Sequence, residues 1–355
     1  MKNENHILPL KETVKNIAVI GPNAAIAQLG GLLQCRRNGS EPAGRAEGAV
    51  FGTLHYVQGS TLYQKIPGGI REAVEAAEKS DVVLLALGGS GSTYGGIGWG
   101  EDGCGEVTSG EGFDSVDIRL SVPQLELAEH VLDTGKPVIL ILEDGRPCAI
   151  PEIYDRAGAV IQAWYPGQEG GRALAEILFG KVNPSGKLTV SIPKHVGQIP
   201  VCYNRKPSTG GFYHRPGTPE KPGRDYTTMD TKPYYSFGYG LSYTRFAYSN
   251  LEIQEQKNGA VVRVDVQNVG EVPGKEVVQL YINDEVSSVT TPVKALKGFC
   301  KVDLEPGQKR TVTFTLDAQS LYLIDRDMKK RVEAGWFEVF VGDQKGRFYV
   351  QGVEL

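Results

Sequence analysis

Residues 81–87 read DVVLLAL and residues 137–142 read PVILIL, two short runs that are almost wholly apolar. Residues 16–20 (NIAVI) and 159–163 (AVIQA) have the same character. Continuous apolar runs of this length are typical of strands buried on both faces, as in a parallel sheet. Because helical patterns lie between these runs, the first half of the chain is predicted to be α/β, with an open, mostly parallel sheet sandwiched between helices.

Three helices are predicted between the strands. One follows residues 67–69 (PGG), and another covers residues 168–179. The clearest helix begins at Ser121, which can cap it while Gln124 reaches back in a capping box.

The hydrophobic period changes to two after residue 245. Residues 262–266 alternate valine with polar side chains, and residues 312–316 and 337–341 repeat the pattern. About seven short strands in roughly 110 residues are typical of a β-sandwich. No Cys–Trp–Cys core spacing is present, so we expect an all-β sandwich of the fibronectin type III-like kind.

A segment rich in proline, glycine and tyrosine separates these two halves. It has no sustained period and is predicted to be an extended connector. The predicted domains are therefore residues 1–192, the connector 193–244, and the sandwich 245–355. We expect the connector aromatics to pack against neighbouring domains, so that the isolated chain exposes an apolar patch and self-associates through it.

Composition excludes several classes of protein. The formal net charge of −4 gives no electrostatic basis for binding nucleic acid or an anionic membrane. No apolar run of about 18 residues is present to span a bilayer. The five cysteines are odd in number and form no CxxC pair, which argues against a disulfide scaffold and a structural zinc site. Residues 1–10 (MKNENHILPL) contain no signal-peptide core, so a cytoplasmic location is the expectation.

Residues 88–112 (GGSGSTYGGIGWGEDGCGEVTSGEG) are the most unusual segment, because 11 of these 25 residues are glycine. They follow a predicted strand, and open α/β sheets bind ligands beyond the carboxyl ends of their strands. The segment holds two aromatic and four acidic residues: Tyr94, Trp99, Glu101, Asp102, Glu106 and Glu111. Carboxylates beside aromatic rings favour a site for a neutral sugar, although a solvated acidic loop without function has the same composition.

Two other kinds of site are not supported. No GxxxxGK[ST] motif occurs, no GxGxxG opens a helix after a strand, and an acidic loop repels phosphates. A Ser–His–Asp triad lacks the GxSxG elbow. No pattern implies a metal or an organic cofactor.

At this loop a family resemblance becomes visible. Residues 109–114 (SGEGFD), followed by residues 120–147 (LSVPQLELAEHVLDTGKPVILILEDGRP), resemble the acid/base segment of glycoside hydrolase family 3, the β-glucosidases and β-xylosidases. Further similar segments extend over the chain: MKNENHILPL (1–10), AWYPGQEGGRALAEILFGKVNPSGKLTVSIP (163–193), PYYSFGYGLSYTRF (233–246) and TPVKALKGFCKVDLEPGQKRTVTFTL (291–316).

The resemblance implies a retaining glycosidase built from two domains. A (β/α)8 barrel supplies an aspartate nucleophile, and the α/β sandwich lends a loop glutamate as general acid and then general base. Matched motif to motif, that glutamate is Glu111, with Glu106 as the fallback. Tyr94, Trp99, Asp102 and Glu106 are predicted to bind the substrate, a β-glycoside or oligosaccharide, with Tyr94 and Trp99 on the leaving-group side.

The missing barrel is the largest departure from the family. A barrel needs about 250 residues, and we expect none before residue 1; the family's Ser-Asp-Trp nucleophile motif does not occur in these 355 residues. A lone general acid contributes about 10²–10⁴-fold, against roughly 10⁶–10¹⁷-fold for enzymes. We therefore expect a chain that is nearly inactive without a barrel domain or subunit. The alternatives are a non-catalytic carbohydrate-binding or structural subunit, and a fragment without function.

Overall fold

The computed structural model describes residues 2–25, 53–92, 106–110, 114–207 and 215–355. The chain divides into two compact units. The α/β unit consists of Met1–Val182 and Ile192–Ile199, and the β unit consists of Asn183–Ser191 and Pro200–Leu355. The division into residues 1–192, 193–244 and 245–355 expected from the sequence stays a prediction. Within the described ranges, no helix combines the length and the apolar character needed to cross a membrane.

The α/β unit contains eight described strands and four described α-helices. The strands are β1 (Lys2–Asn3), β2 (Asn16–Ile20), β3 (Thr53–Val57), β4 (Val82–Gly88), β5 (Gly91–Ser92), β6 (Ser109–Gly110), β7 (Val138–Glu143) and β8 (Ala159–Gln162). The helices are α1 (Gly69–Glu78), α2 (Val122–Asp133), α3 (Pro151–Arg156) and α4 (Gly170–Leu178).

Six of these strands form one sheet in the order β1-β8-β7-β4-β2-β3. All neighbours are parallel except β1, which runs antiparallel to β8. Every residue of β4 and β7 is buried, and Leu85, Leu87 and Leu140 are fully inaccessible. Burying a leucine side chain contributes about 1.5–3 kcal/mol, so these central strands anchor the unit. The predicted open, mostly parallel sheet with helices is confirmed.

The capping box predicted for α2 is wrong. Ser121 stands at the N-cap position, but its side chain makes no capping hydrogen bond and instead donates to the Leu62 carbonyl. Gln124 is buried, and its amide bonds both the N–H and the carbonyl of Gly88, each at 2.9 Å. Both side chains reach the neighbouring chain segments because buried main-chain groups there need partners.

The β unit is an antiparallel β-sandwich. Its strands are β9 (Phe246–Gln256), β10 (Gly259–Asn268), β11 (Gly274–Asp284), β12 (Ala295–Leu304), β13 (Lys309–Leu316), β14 (Leu323–Ile324), β15 (Lys330–Val332), β16 (Gly335–Val341), β17 (Gln344–Val350) and β18 (Val353–Glu354), with a short helix α5 (Ala318–Leu321). Sheets β13-β10-β9 and β12-β11-β16-β17 enclose a core of alternating apolar residues, and β14-β15-β18 form a small third sheet. The predicted all-β sandwich is confirmed.

Segment 183–191 joins the β unit although it contains no helix or strand. Lys187 forms an ion pair of 3.0 Å with Glu276 on β11, and both side chains are largely buried. The Tyr248 hydroxyl donates to the other Glu276 oxygen at 2.8 Å. The predicted connector also packs on this unit: Tyr203 stacks on Phe237 with 4.1 Å between ring centroids and meets Tyr281 of β11 edge-on at 6.0 Å.

Removing the Glu276 carboxylate should destabilise the β unit. Glu276→Leu leaves the Lys187 ammonium without its counter-ion, although the Gly240 carbonyl still accepts from it, and leaves the Tyr248 hydroxyl without its acceptor. We therefore expect the free energy of unfolding to fall by about 3 kcal/mol. Urea denaturation of the whole chain, followed at the unfolding transition of the β unit, measures this loss. The double variant Lys187→Met/Glu276→Leu should recover part of it.

The matched control is Asp303→Ala, which breaks the exposed 3.5 Å pair with Lys275 on the same sheet. An exposed pair contributes about 0–1 kcal/mol, so this variant should unfold almost as the wild type does. Equal losses for Glu276→Leu and Asp303→Ala contradict the importance of the buried network.

Candidate functional site

The order of the parallel strands creates a crevice between β2 and β4. The chain leaves β2 toward β3 on one side and leaves β4 toward β7 on the other, which makes this a topological switch point. Asn23, which follows β2, donates from Nδ2 to the carbonyl of Gly89, which follows β4, at 3.0 Å. Ligands of open α/β sheets bind at such a point.

The glycine-rich segment begins at Gly88, the last residue of β4. Gly88 has φ +146°, and a Cβ atom there would lie 2.1 Å from the Glu143 carbonyl oxygen. Only glycine fits this position, because a side chain would meet the main chain of β7. The Gln124 amide fixes the same residue, so the segment leaves the sheet in a defined direction.

The segment returns through residues 106–110, which we call the loop stem. The amides of Thr108 and Ser109 both donate to the Ser90 carbonyl, at 2.9 and 3.1 Å. The Thr108 hydroxyl accepts from the Ser90 amide at 2.9 Å. Strands β5 and β6 then pair in parallel. The departing and returning ends of the glycine-rich segment are therefore hydrogen-bonded to each other.

Residues that follow β7 and β8 hold the loop stem from a second side. Arg146 donates from Nη1 to the Thr108 carbonyl at 2.7 Å, and its amide donates to Asp144 Oδ1 at 2.9 Å. The hydroxyls of Ser109 and Tyr165 form a short hydrogen bond. The stem is thus fixed by side chains as well as by main-chain pairing.

Glu106 is the one predicted site residue that lies inside the described ranges. Its two carboxylate oxygens accept from the Thr61 hydroxyl at 2.8 Å and from the Tyr63 amide at 3.1 Å. The Tyr63 hydroxyl in turn donates to the Val107 carbonyl at 3.4 Å. These contacts attach the stem to the segment that follows β3. Glu111, Tyr94, Trp99 and Asp102 lie outside the described residues.

Two adjacent buried carboxyl groups lie at the end of β7. Glu143 is 6% exposed, its Oε2 has no hydrogen-bond partner among the described residues, and burial raises its pKa to about 8. Burial also raises the pKa of Asp144, although the hydrogen bond from the Arg146 amide and the Arg146 charge oppose that shift. Glu143 is therefore neutral near pH 7, while Asp144 has a cation beside it.

A cleft of about 270 Å³ lies beside the loop stem. Tyr63, Thr108, Asp144 and Arg146 contribute to its lining. Its volume is just below the range of about 300–1,000 Å³ for whole ligand sites, which suits part of a larger site. The sequence analysis missed Asp144 and Arg146, although their position directly after a buried parallel strand is a usable signal.

Comparison with known proteins identifies relatives over the whole chain. The profile of the glycosyl hydrolase family 3 C-terminal domain matches residues 1–243, and that of a fibronectin type III-like domain matches residues 276–345. A β-xylosidase from Formosa agariphila is 36% identical over 96% of this chain and 46% of its own length. A periplasmic β-glucosidase from Salmonella typhimurium is 34% identical over 100% of this chain and 48% of its own length.

A solved structure gives the same result. The β-glucosidase from Listeria innocua in complex with glucose superimposes with a TM-score of 0.84 at 32% identity, covering 100% of this chain and 48% of that chain. The chain therefore spans about half the length of the relatives that it matches.

The buried Glu143 should make stability depend on pH. Its pKa is about 8 in the folded state and 4.5 ordinarily, so the folded state binds the extra proton between these values. The free energy of unfolding therefore falls as pH rises through this window. Glu143→Gln resembles the protonated form of the side chain. In this variant the free energy of unfolding should therefore lack the decrease, on the order of 1 kcal/mol per pH unit, that Glu143 causes in the wild type.

Urea denaturation at a series of pH values from about 5 to about 8 tests this expectation. The control is Glu129→Gln, the same substitution at an exposed position of α2. Parallel pH profiles for Glu143→Gln and the wild type contradict a proton held by Glu143.

Proposed function

Because this chain belongs to glycosyl hydrolase family 3, we propose that it is the C-terminal part of a retaining β-glycosidase. Its substrates are β-glycosides or oligosaccharides, from which the enzyme removes terminal non-reducing β-linked sugars. The observation that carries the proposal is the loop stem, which is held at the switch point of the sheet and leads directly into Glu111. Relatives named β-glucosidase and β-xylosidase support this substrate class.

Glu111 is the proposed general acid and base. It follows β6 immediately, in the SGEGFD segment that resembles the family's acid/base motif. Glu106 is a weaker candidate, because both of its carboxylate oxygens already accept hydrogen bonds from Thr61 and Tyr63. Those contacts favour a role for Glu106 in holding the loop. Tyr94, Trp99 and Asp102 remain proposed substrate contacts.

The proposed reaction has two steps. Glu111 donates its proton to the glycosidic oxygen as the bond to the anomeric carbon breaks, and a carboxylate on the opposite face bonds to that carbon. Glu111, now ionised, takes a proton from water while the water oxygen attacks the anomeric carbon and releases the nucleophile. The two carboxyl groups of such a site stand about 5–5.5 Å apart across the scissile bond.

The nucleophile is proposed to come from a family 3 barrel, as a separate subunit or as another part of the same protein. We expect a second acid of the same loop to share the side of the sugar that Glu111 takes, so the carboxylate on the opposite face is proposed to come from elsewhere. A general acid alone contributes about 10²–10⁴-fold. We therefore propose that the 355-residue chain is nearly inactive by itself.

Self-association and location stay predictions. Tyr203 and Phe237 stack within the β unit, and Tyr203 also meets Tyr281 edge-on. Among the described connector residues, Tyr226 and Tyr239 are exposed, and the patch predicted for self-association includes them. A cytoplasmic location remains the expectation from the sequence, while the Salmonella relative is named periplasmic.

Glu111→Gln tests the proposed role in an enzyme assembled from this chain and a family 3 barrel. Since glutamine cannot donate or accept the proton, we expect kcat/KM for an unactivated aryl β-glucoside to fall about 10²–10⁴-fold. A 2,4-dinitrophenyl β-glucoside needs no proton donor, so its cleavage step should be affected much less. Azide should restore turnover and give a glycosyl azide.

Glu129→Gln serves as the control, because it makes the same change at an exposed helix position. A Glu111→Gln enzyme that retains full activity on every substrate overturns the acid/base assignment. An assembled protein that binds sugars but hydrolyses none favours the non-catalytic alternative.

A further inference from the structure

Arg146 connects the end of β7 to the loop stem. Its side chain donates from Nη1 to the Thr108 carbonyl at 2.7 Å, while its own amide bonds the carboxylate of Asp144. Asp144 is buried directly after the carboxyl end of β7, so the arginine is attached to a well-packed position of the fold. One side chain therefore joins a fixed point of the fold to the stem of a glycine-rich loop.

The packing around this contact leaves little room for the stem to move. A Cβ atom on Gly89 would lie 2.0 Å from the Thr108 hydroxyl and 2.8 Å from Asp144 Oδ2. The stem and the Asp144 carboxylate therefore both press against the main chain that leaves β4. Because the surroundings are closely packed, the hydrogen bond from Arg146 holds the Thr108 carbonyl in one position.

We propose that Arg146 is a positioning residue for the acid/base loop: by holding the Thr108 carbonyl, three residues before Glu111, it determines where the loop presents its carboxyl group. This inference rests on the proposed function of Glu111. Arg146 acts through the main chain and need not touch the sugar.

The local sequence explains why such a clamp is needed. Glu111 lies between Gly110 and Gly112, and Gly110 has φ +140°, a conformation that other residues rarely adopt. Glycine restricts the main chain less than other residues do, so we expect the position of Glu111 to depend on contacts just upstream. The Thr108 carbonyl is a suitable point, because a charged donor gives a stronger hydrogen bond than a neutral one.

A misplaced proton donor has a specific kinetic signature. Displacement by about 1 Å can cost about 10²-fold in rate. In the bond-cleaving step, that loss falls on substrates whose leaving groups need protonation and spares those that leave as stable anions. A merely structural role lowers the amount of folded enzyme and so reduces all rates by the same factor.

The test compares Arg146→Met and Arg146→Lys in the assembled enzyme over a series of aryl β-glucosides of graded leaving-group pKa. We expect Arg146→Met to lower kcat/KM, which reports the bond-cleaving step, by about 10²-fold for the poorest leaving group and by less than about tenfold for 2,4-dinitrophenolate. Arg146→Lys keeps one donor and should recover part of the loss. Arg156→Met, which breaks an exposed ion pair with Asp133, is the arginine control and should match the wild type.

Hydrogen exchange gives a readout that needs no catalysis. In the folded chain, Arg146→Met should speed exchange of the Thr108 and Ser109 amides, which otherwise donate to the Ser90 carbonyl. Arg156→Met should leave those amides unchanged. If Arg146→Met does not fold, Arg146→Lys carries both measurements, with the same direction expected and a smaller size.

The outcomes separate the two proposals. Suppose that the loss of kcat/KM in Glu111→Gln depends on the leaving group. If the Arg146 variants then lose kcat/KM equally on all substrates, or exchange the stem amides at the wild-type rate, the positioning role is overturned and the proposed function stands. If Glu111→Gln itself shows no leaving-group dependence, the proposed function fails. Faster exchange of the Thr108 and Ser109 amides in Arg146→Met would then still show that Arg146 holds the loop stem.

Discussion

A single acceptor, the carbonyl oxygen of Ser90, receives the N–H groups of both Thr108 and Ser109, and the candidate site depends on this closure. It joins the two ends of a glycine-rich segment at the topological switch point of the sheet. Gln124 and Arg146 then fix the outgoing and returning ends separately. A glycine-rich loop therefore starts and finishes at positions that hydrogen bonds fix, which is the condition for the proton transfer proposed for Glu111.

The strands of the α/β sheet could be predicted from the sequence where both faces are buried, but not where a strand is partly exposed. The central strands appear as continuous apolar runs, because both of their faces are covered. β3 was missed, since this edge strand exposes Leu54 and Tyr56. Gln124 was misassigned to a capping box because only the tertiary fold shows Gly88 as its partner. The convergence of Thr61, Ser90, Arg146 and Tyr165 on the stem likewise depends on strand order, which local sequence does not encode.

The β unit was easier to predict because its period of two survives in the packing. Phe337, Val339 and Val341 point into the core, as their alternation indicates. Trp336 lies on the outer face, 38% exposed, with its ring edge-on to that of Tyr349 and 5.4 Å between the ring centroids. The alternation itself assigns it outward, so the period was a better guide than the size of the side chain.

The chain passes between the two compact units three times, at residues 182/183, 191/192 and 199/200. Genetic recombination with one breakpoint therefore cannot exchange the β-sandwich as a cassette. A joint at residue 200 would leave residues 183–191 behind, and Lys187 would face a foreign strand in place of Glu276. Chimeric enzymes built from this family should carry that nine-residue piece along with the sandwich, and natural lineages should inherit the two together.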